Sequence, residues 1–191
     1  MEFRLANRQD LPEIEEMYRQ IVRHMQETGV GIWDEVYPSV CFPDDIEQKQ
    51  LYLLTQEGKI LSACALSMSD PKAGSIRWEN PQAKAIYLSR LGVRTGCLRQ
   101  GVGGRMLEYA KAVARQKQAG YLRLFVVDRN APALRFYEKQ GFWQRGGVHE
   151  ERLADTGEVL RQYGWEVEIT EETAGHTGFA GLGHAFSKRT V

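Results

Sequence analysis

Between an apolar run that ends at Val93 and an amphipathic run that begins at Val102, the chain reads Leu91-Gly92-Val93-Arg94-Thr95-Gly96-Cys97-Leu98-Arg99-Gln100-Gly101-Val102-Gly103-Gly104. Glycines let a backbone approach a ligand closely, and the first N–H groups of a helix have no intrahelical partner. A strand that enters a helix through such a turn is an anion cradle on physical grounds. The same residues also suit a tight turn beside a solvated basic face. Between Asn80 and Leu107 there is no Asp or Glu, while Lys84, Arg90, Arg94, Arg99 and Arg105 all fall there. Two familiar phosphate loops do not fit. A Walker loop needs Lys-Ser/Thr after its last Gly, where Val102-Gly103 stands. A Rossmann fingerprint from Gly101 needs Gly or Ala at position 106, where Met106 stands.

The flanking sequence sets this junction in an α/β context. Residues 3–6 read as a first strand. Asp10-Leu11-Pro12-Glu13 opens a helix, with Asp10 as cap and Glu13 completing a box-like spacing, and Ile14, Met17, Tyr18, Ile21, Val22 and Met25 form its apolar stripe. Residues 29–43 form a loop rich in aromatics and turn residues, and Asp44-Asp45 opens a short helix to about Gln50. LYLLT and KILSACALSM flank Gln56-Glu57-Gly58 as a hairpin. Residues 70–83, with Pro71, Gly74 and Pro81, read as a loop or a ragged strand around Ile76–Trp78. Residues 84–93 read as a strand whose alternation slips near Arg90, which a bulge would explain. The helix beginning near Gly101–Gly104 buries Met106, Leu107, Ala110, Val113 and Ala114, with Gly120 as its stop. A buried strand (121–127), a helix capped by Asn130 and stopped at Gly141, and two strands at about 142–149 and 160–169 complete the pattern. This order implies a mixed α/β (α+β) domain around one largely antiparallel sheet flanked by helices.

Composition excludes several classes. The 191 residues suit one domain, which at that length buries its own core. Lys+Arg and Asp+Glu are both 25, so a protein whose whole surface is a nucleic-acid footprint is not expected. Cys41, Cys64 and Cys97 are odd in number and lack a CxxC, which points to reduced thiols, not to a disulfide framework or a metal module. No secretory signal or membrane-length apolar run is seen, so a cytoplasmic protein with no membrane partner is expected.

The stretch from Leu91 to Phe142 resembles the GNAT superfamily of acyl-CoA N-acyltransferases. Leu98-Arg99-Gln100-Gly101-Val102-Gly103, after Leu91-Gly92-Val93, aligns with that family's [R/Q]-x-x-G-x-[G/A]. Asn130 and the helix running into Tyr137-Glu138-Lys139-Gln140-Gly141-Phe142 align with a second family feature. The N-terminal FRLANRQDLPEIEEMY also looks like a GNAT opening, so the resemblance covers roughly residues 3–169. It implies a GNAT domain over 1–169 and leaves 170–191 as an extension of unassigned role. Leu98 departs from the pattern, because the family's Arg or Gln would donate a hydrogen bond there.

The resemblance implies acetyl-CoA as co-substrate and no metal. Leu91 and Val93 would offer backbone groups to the pantetheine arm. Leu98, Arg99, Gln100, Gly101, Val102, Gly103 and Gly104 would wrap the pyrophosphate, and Asn130 would touch the arm besides capping its helix. The reaction implied is direct attack of an amine on the thioester, with Tyr137 as the acid for the departing thiolate and an N–H near Val93 holding the carbonyl oxygen. Without the family, Tyr137 reads first as a core aromatic beside Phe136. The acceptor, a small-molecule or peptide amine, is expected near Trp33 and Tyr37, with Trp78 able to join. Glu79, Asp34, Glu35 and His149 are candidate bases, each also readable as a solvated surface residue. Two other classes remain at this stage: a CoA-binding sensor without turnover, motivated by Leu98, and a nucleotide or phosphate binder using the same turn. A homodimer is an option that the family raises and the sequence does not address.

Overall fold

The computed structural model describes residues 1–153 and 157–170. The sequence extension past 170, with His176 and His184, lies outside the described residues. The strands are β1 (Glu2–Leu5), β2 (Leu51–Gln56), β3 (Lys59–Ser67), β4 (Ile76–Arg77), β5 (Ala85–Val93), β6 (Tyr121–Val127), β7 (Trp143–Gln144), β8 (Gly146–Gly147), β9 (His149–Arg152) and β10 (Val159–Glu168). The helices are α1 (Leu11–Glu27), α2 (Phe42–Glu47), α3 (Val102–Gln116) and α4 (Ala131–Lys139). The main sheet runs β1-β2-β3-β5-β6-β10-β7, with β9 also on β10. Among the described residues, only the β5–β6 pair of the main sheet is parallel and the other pairs are antiparallel.

Two core layers follow from strand alternation. Ile86, Leu88, Leu122, Leu124 and Val126 meet Met106, Leu107 and Ala110 of α3, with Tyr137 of α4 and Phe142 beyond it. On the opposite face Leu51, Leu53, Ile60, Ala63 and Ala65 meet Ile14, Met17, Tyr18 and Ile21 of α1, with Phe42 and Ile46 of α2. A smaller group, Ile76, Trp78, Ala85 and Tyr87 with Tyr121 and Phe125, continues that second face.

Several local expectations meet their physical reasons here. The β2–β3 hairpin closes through Glu57 (φ 52°) and Gly58 (φ 78°), the left-handed pair that a two-residue turn requires. Asn130 Oδ1 accepts from the Ala133 N–H at 3.2 Å, so it caps α4. Asp10 does not cap α1 with its side chain. Its carboxylate pairs with both terminal nitrogens of Arg4 at 2.7 and 2.8 Å, and Asn7 and Asp10 form a capping box around a preceding 3-10 turn instead. Glu13 joins no capping box and accepts from Arg94 and the Ile60 N–H. The short second helix begins at Phe42, earlier than the acidic pair. Gln118, not Gly120, takes the left-handed conformation after α3.

Candidate active site

The site grows from one irregularity in β5. Ala63 of β3 faces Gly92 and Ala65 faces Ser89, so β5 carries one extra residue between them. Arg90 sits there at φ 54°, and the slip in alternation read from the sequence is a bulge. On its other side β5 pairs with β6 from Ala85–Tyr121 to Leu88–Leu124 and no further. Both strands continue, β5 to Val93 and β6 to Val127, so the two neighbours splay past Leu88 and Leu124. Ser89–Val93 keeps β3 on one edge and turns its other backbone edge into the gap.

Tyr18 of α1 clamps the bulge. Its ring is fully buried, and its hydroxyl lies 2.5 Å from the Arg90 carbonyl and 3.1 Å from that of Ala63. Burial pushes this phenol well above its ordinary range, so it stays a donor. A Cβ on Gly92 would fall 2.7–2.9 Å from the Tyr18 ring and hydroxyl, which explains a glycine inside a strand.

The turn after β5 leads to the mouth of the gap. Arg99 (φ 61°) and Gly101 (φ 78°) are both left-handed, and Gly101 is the N-cap of α3. Left-handed residues entering a helix N-terminus gather N–H groups into an anion-binding concavity. Gly103 has a different reason: a Cβ there would meet the Phe136 ring at 3.1 Å and the Val93 side chain at 3.5 Å. Its absence lets α4 and β5 close on the first turn of α3. Gln100 Nε2 donates to the Gly96 carbonyl at 3.0 Å, and Leu98 is 40% exposed.

The basic cluster is partly neutralised within the fold. Arg90 holds Asp45 of α2 through two bonds of 2.7 and 3.0 Å, and Arg94 holds Glu13 of α1 at 2.7 Å. Lys84, Arg99 and Arg105 stay exposed. The acidic N-terminal segment therefore supplies partners to the two arginines nearest the bulge.

Tyr137 lies on α4 between Phe136 (ring centroids 5.2 Å) and Phe142 (5.5 Å) and is 8% exposed. Burial, with nearby Cys64, pushes its phenol far up, so it is neutral at physiological pH. Cys64 is the β3 residue opposite the bulge, and burial pushes its thiol up to about 12.

The other sequence candidates separate. Trp33 packs on Tyr18 with ring centroids 5.6 Å apart, and Phe42 does so at 4.7 Å, which accounts for much of the aromatic loop. Tyr37 is 39% exposed beside Arg90. Asp34 accepts from the N–H groups of Val36 and Tyr37, a turn role. A cleft of about 280 Å³ between α1 and this loop includes Glu35 and shares no lining residue with the strand gap. Glu79 is exposed and pairs with Arg145 at 2.8 Å. His149 Nδ1 lies 3.3 Å from Ser75 Oγ.

Sequence reasoning missed a buried hub on the second face. Arg123 donates to Glu166 at 2.9 Å with both side chains almost inaccessible, to the Asn80 carbonyl at 2.7 Å, and lies 4.6 Å from the Trp78 ring centroid. Glu166 also accepts from Arg145 and from the Glu79 N–H, at 2.7 and 2.8 Å. The signal was a charge at an inward position in each of two apolar strands. Among the described residues no group of His, Cys, Asp and Glu could hold a metal ion, and no helix is long and apolar enough to cross a membrane.

Comparison with known proteins agrees with this geometry. No curated protein sequence matches the chain. An acetyltransferase of the GNAT family from Streptococcus agalactiae has a similar structure, with a TM-score of 0.72 and 17% identity over 90% of this chain and 96% of that one. The ribosomal-protein-S18-alanine N-acetyltransferase of Escherichia coli gives 0.62 and 17% over 93% and 99%. Salmonella typhimurium yncA, solved with its cofactor acetyl-CoA, gives 0.64 and 16% over 93% and 99%. At these identities the likeness is one of fold. The family model described as the acetyltransferase (GNAT) family matches residues 15–142, from within α1 through the bulge, the Gly-rich turn and Tyr137 to Phe142, and the chain therefore belongs to the GNAT acetyltransferases.

Proposed function

We propose that this chain transfers the acetyl group of acetyl-CoA to the primary amine of a small molecule or peptide by direct attack. The observation that carries the reading is the splay of β5 from β6 past Leu88 and Leu124, with the α3 N-terminus at one end. Such a gap suits a thin amide-bearing arm, because the free edge of Ser89–Val93 offers strand N–H and C=O groups to it. Leu91 and Val93 supply those backbone groups. Leu98 to Gly104 wrap the pyrophosphate, with the left-handed Arg99 and Gly101 and the α3 N–H groups as its cradle. Asn130 keeps its cap through Oδ1, and its amide nitrogen remains to meet the arm.

The chemistry then needs little from the protein. A backbone N–H near Val93 stabilises the carbonyl oxygen as charge develops. The leaving thiol has a reference pKa near 8.5, below that of a phenol. Tyr137 therefore acts by hydrogen-bonding the departing thiolate, and its buried phenol holds the proton throughout the neutral range. The acceptor amine approaches from the face of Trp78, Tyr87 and Phe125, since α3 and α4 fill the other. Trp33 and Tyr37 border that side from the loop, and Glu79 lies at its rim. We place the transferase domain at residues 1–169, in the cytoplasm.

Tyr137→Phe tests the assignment. The turnover number falls about tenfold or more while the KM for acetyl-CoA stays within about twofold. Equal losses in both would make Tyr137 a packing or binding residue. Leu98 keeps a second reading in view, a CoA-binding sensor, which steady CoA release with any amine in a broad panel would exclude.

A further inference from the structure

Phe125 is the first β6 residue beyond the last β5–β6 pair. Alternation puts Leu124 in the core under α3 and α4 and turns Phe125 to the opposite face. Its ring therefore stands at the narrow end of the gap, on the face from which the acceptor is proposed above to approach. One amine is already there. Lys72 Nζ lies 4.9 Å from the Phe125 ring centroid and 3.2 Å from Asp70 Oδ2. Asp70 is fixed in turn, since its other carboxylate oxygen accepts from the Lys72 N–H at 2.9 Å. The lysine side chain is 26% exposed, so it is held against the ring and still open to water. Trp78 backs the same ring edge-on, with centroids 5.8 Å apart, and Arg123 anchors Trp78 from below. An aromatic face and a carboxylate are what an alkylammonium needs from a protein.

We propose that Lys72 is an acetylation site of this chain, modified in cis by its own active centre when no external amine is present. This rests on the transferase reading above. The ε-ammonium first gives a proton to solvent. The amine nitrogen then forms the C–N bond to the thioester carbonyl carbon as the C–S bond breaks. The second N–H proton ends on the departing sulfur, giving an amide and free CoA. Acetylation removes the lysine charge, and with it the ion pair to Asp70 and the attraction to Phe125. The strap carrying residues 70–75 loses one contact to the acceptor face, that of Lys72 with Phe125, and one ion pair within itself. Tethering is what makes one lysine the preferred target: Asp70 and the Phe125 ring hold the ammonium form, and once its proton leaves, the freed amine stays beside the gap on its own strap and reacts as if at very high local concentration.

The test is incubation of the full chain with acetyl-CoA and no acceptor, followed by peptide mapping by mass spectrometry. The expected result is acetyl on Lys72, formed at a first-order rate that does not change with protein concentration, absent in Lys72→Arg, and slowed as an external primary amine is added. Acetyl spread over exposed lysines as in the heat-denatured chain would overturn the proposal. So would an unmodified Lys72 in a chain that releases CoA with an external amine. Absence of CoA release from both routes would defeat the transferase reading itself.

Discussion

Gly92→Ala is the sharpest structural perturbation this fold offers. The new methyl falls 2.7–2.9 Å from the ring and hydroxyl of Tyr18, a side chain with no exposed surface. Either the ring moves or β5 does. Overpacking of this kind costs about 1–3 kcal/mol, and a displaced ring also loses the hydroxyl bond to the Arg90 carbonyl, leaving a buried polar group short of its partner. The expected loss is about 2–4 kcal/mol. For a domain of this size that lowers Tm by about 4–16 °C. Thermal and urea unfolding measure it directly. Tyr18→Leu, destabilising alone, should cost at least about 1 kcal/mol less in the Gly92→Ala background, because the clash is then gone. The gain in Tm on adding acetyl-CoA should also shrink in Gly92→Ala, since β5 forms one wall of the gap. A variant as stable as the parent, or strict additivity with Tyr18→Leu, would refute the clamp.

Other expectations concern charge and pH. Leu98→Arg restores the family's donor beside the pyrophosphate cradle and should tighten acetyl-CoA binding about three- to tenfold in calorimetry, an effect that fades with salt. Glu166→Ala strands Arg123 without its partner inside the sheet and should cost about 3–5 kcal/mol in urea unfolding, with Arg123→Met recovering much of it. Stability should fall as pH rises from about 9 toward 12, where the unfolded chain ionises its thiol while burial keeps Cys64 neutral in the fold. The contribution is intact below the ordinary thiol pKa and reaches a loss of about 3–4 kcal/mol near pH 12. Cys64→Ala should remove its share of that slope in unfolding measured across the alkaline range and leave what the buried Tyr18 and Tyr137 phenols add above about pH 10.

What could be read from the sequence was whatever depends on near neighbours. The Asn130 cap, the Gly-rich entry to α3 and the bulge at Arg90 are all written in residues within a few positions of the feature. Distance in the chain defeated the rest. Asp10 has the residue type of a cap, but Arg4 takes its carboxylate, a pairing set by where β1 leaves the chain. The basic excess around the Gly-rich turn looked like one electrostatic site until α1 and α2 delivered Glu13 and Asp45 to two of its arginines. Arg123 and Glu166 face one another only because β10 returns antiparallel beside β6. Trp33 and Phe42 belong to one packing unit with Tyr18, which spacing alone could not separate from a binding surface.

The central claim is acetyl transfer at the gap between β5 and β6, and free-thiol release from acetyl-CoA across a panel of primary amines tests it most directly. The account predicts steady, amine-dependent CoA release that saturates in both substrates and drops in turnover number with Tyr137→Phe. No release with any amine, together with thermal stabilisation by ATP and none by acetyl-CoA, would contradict it.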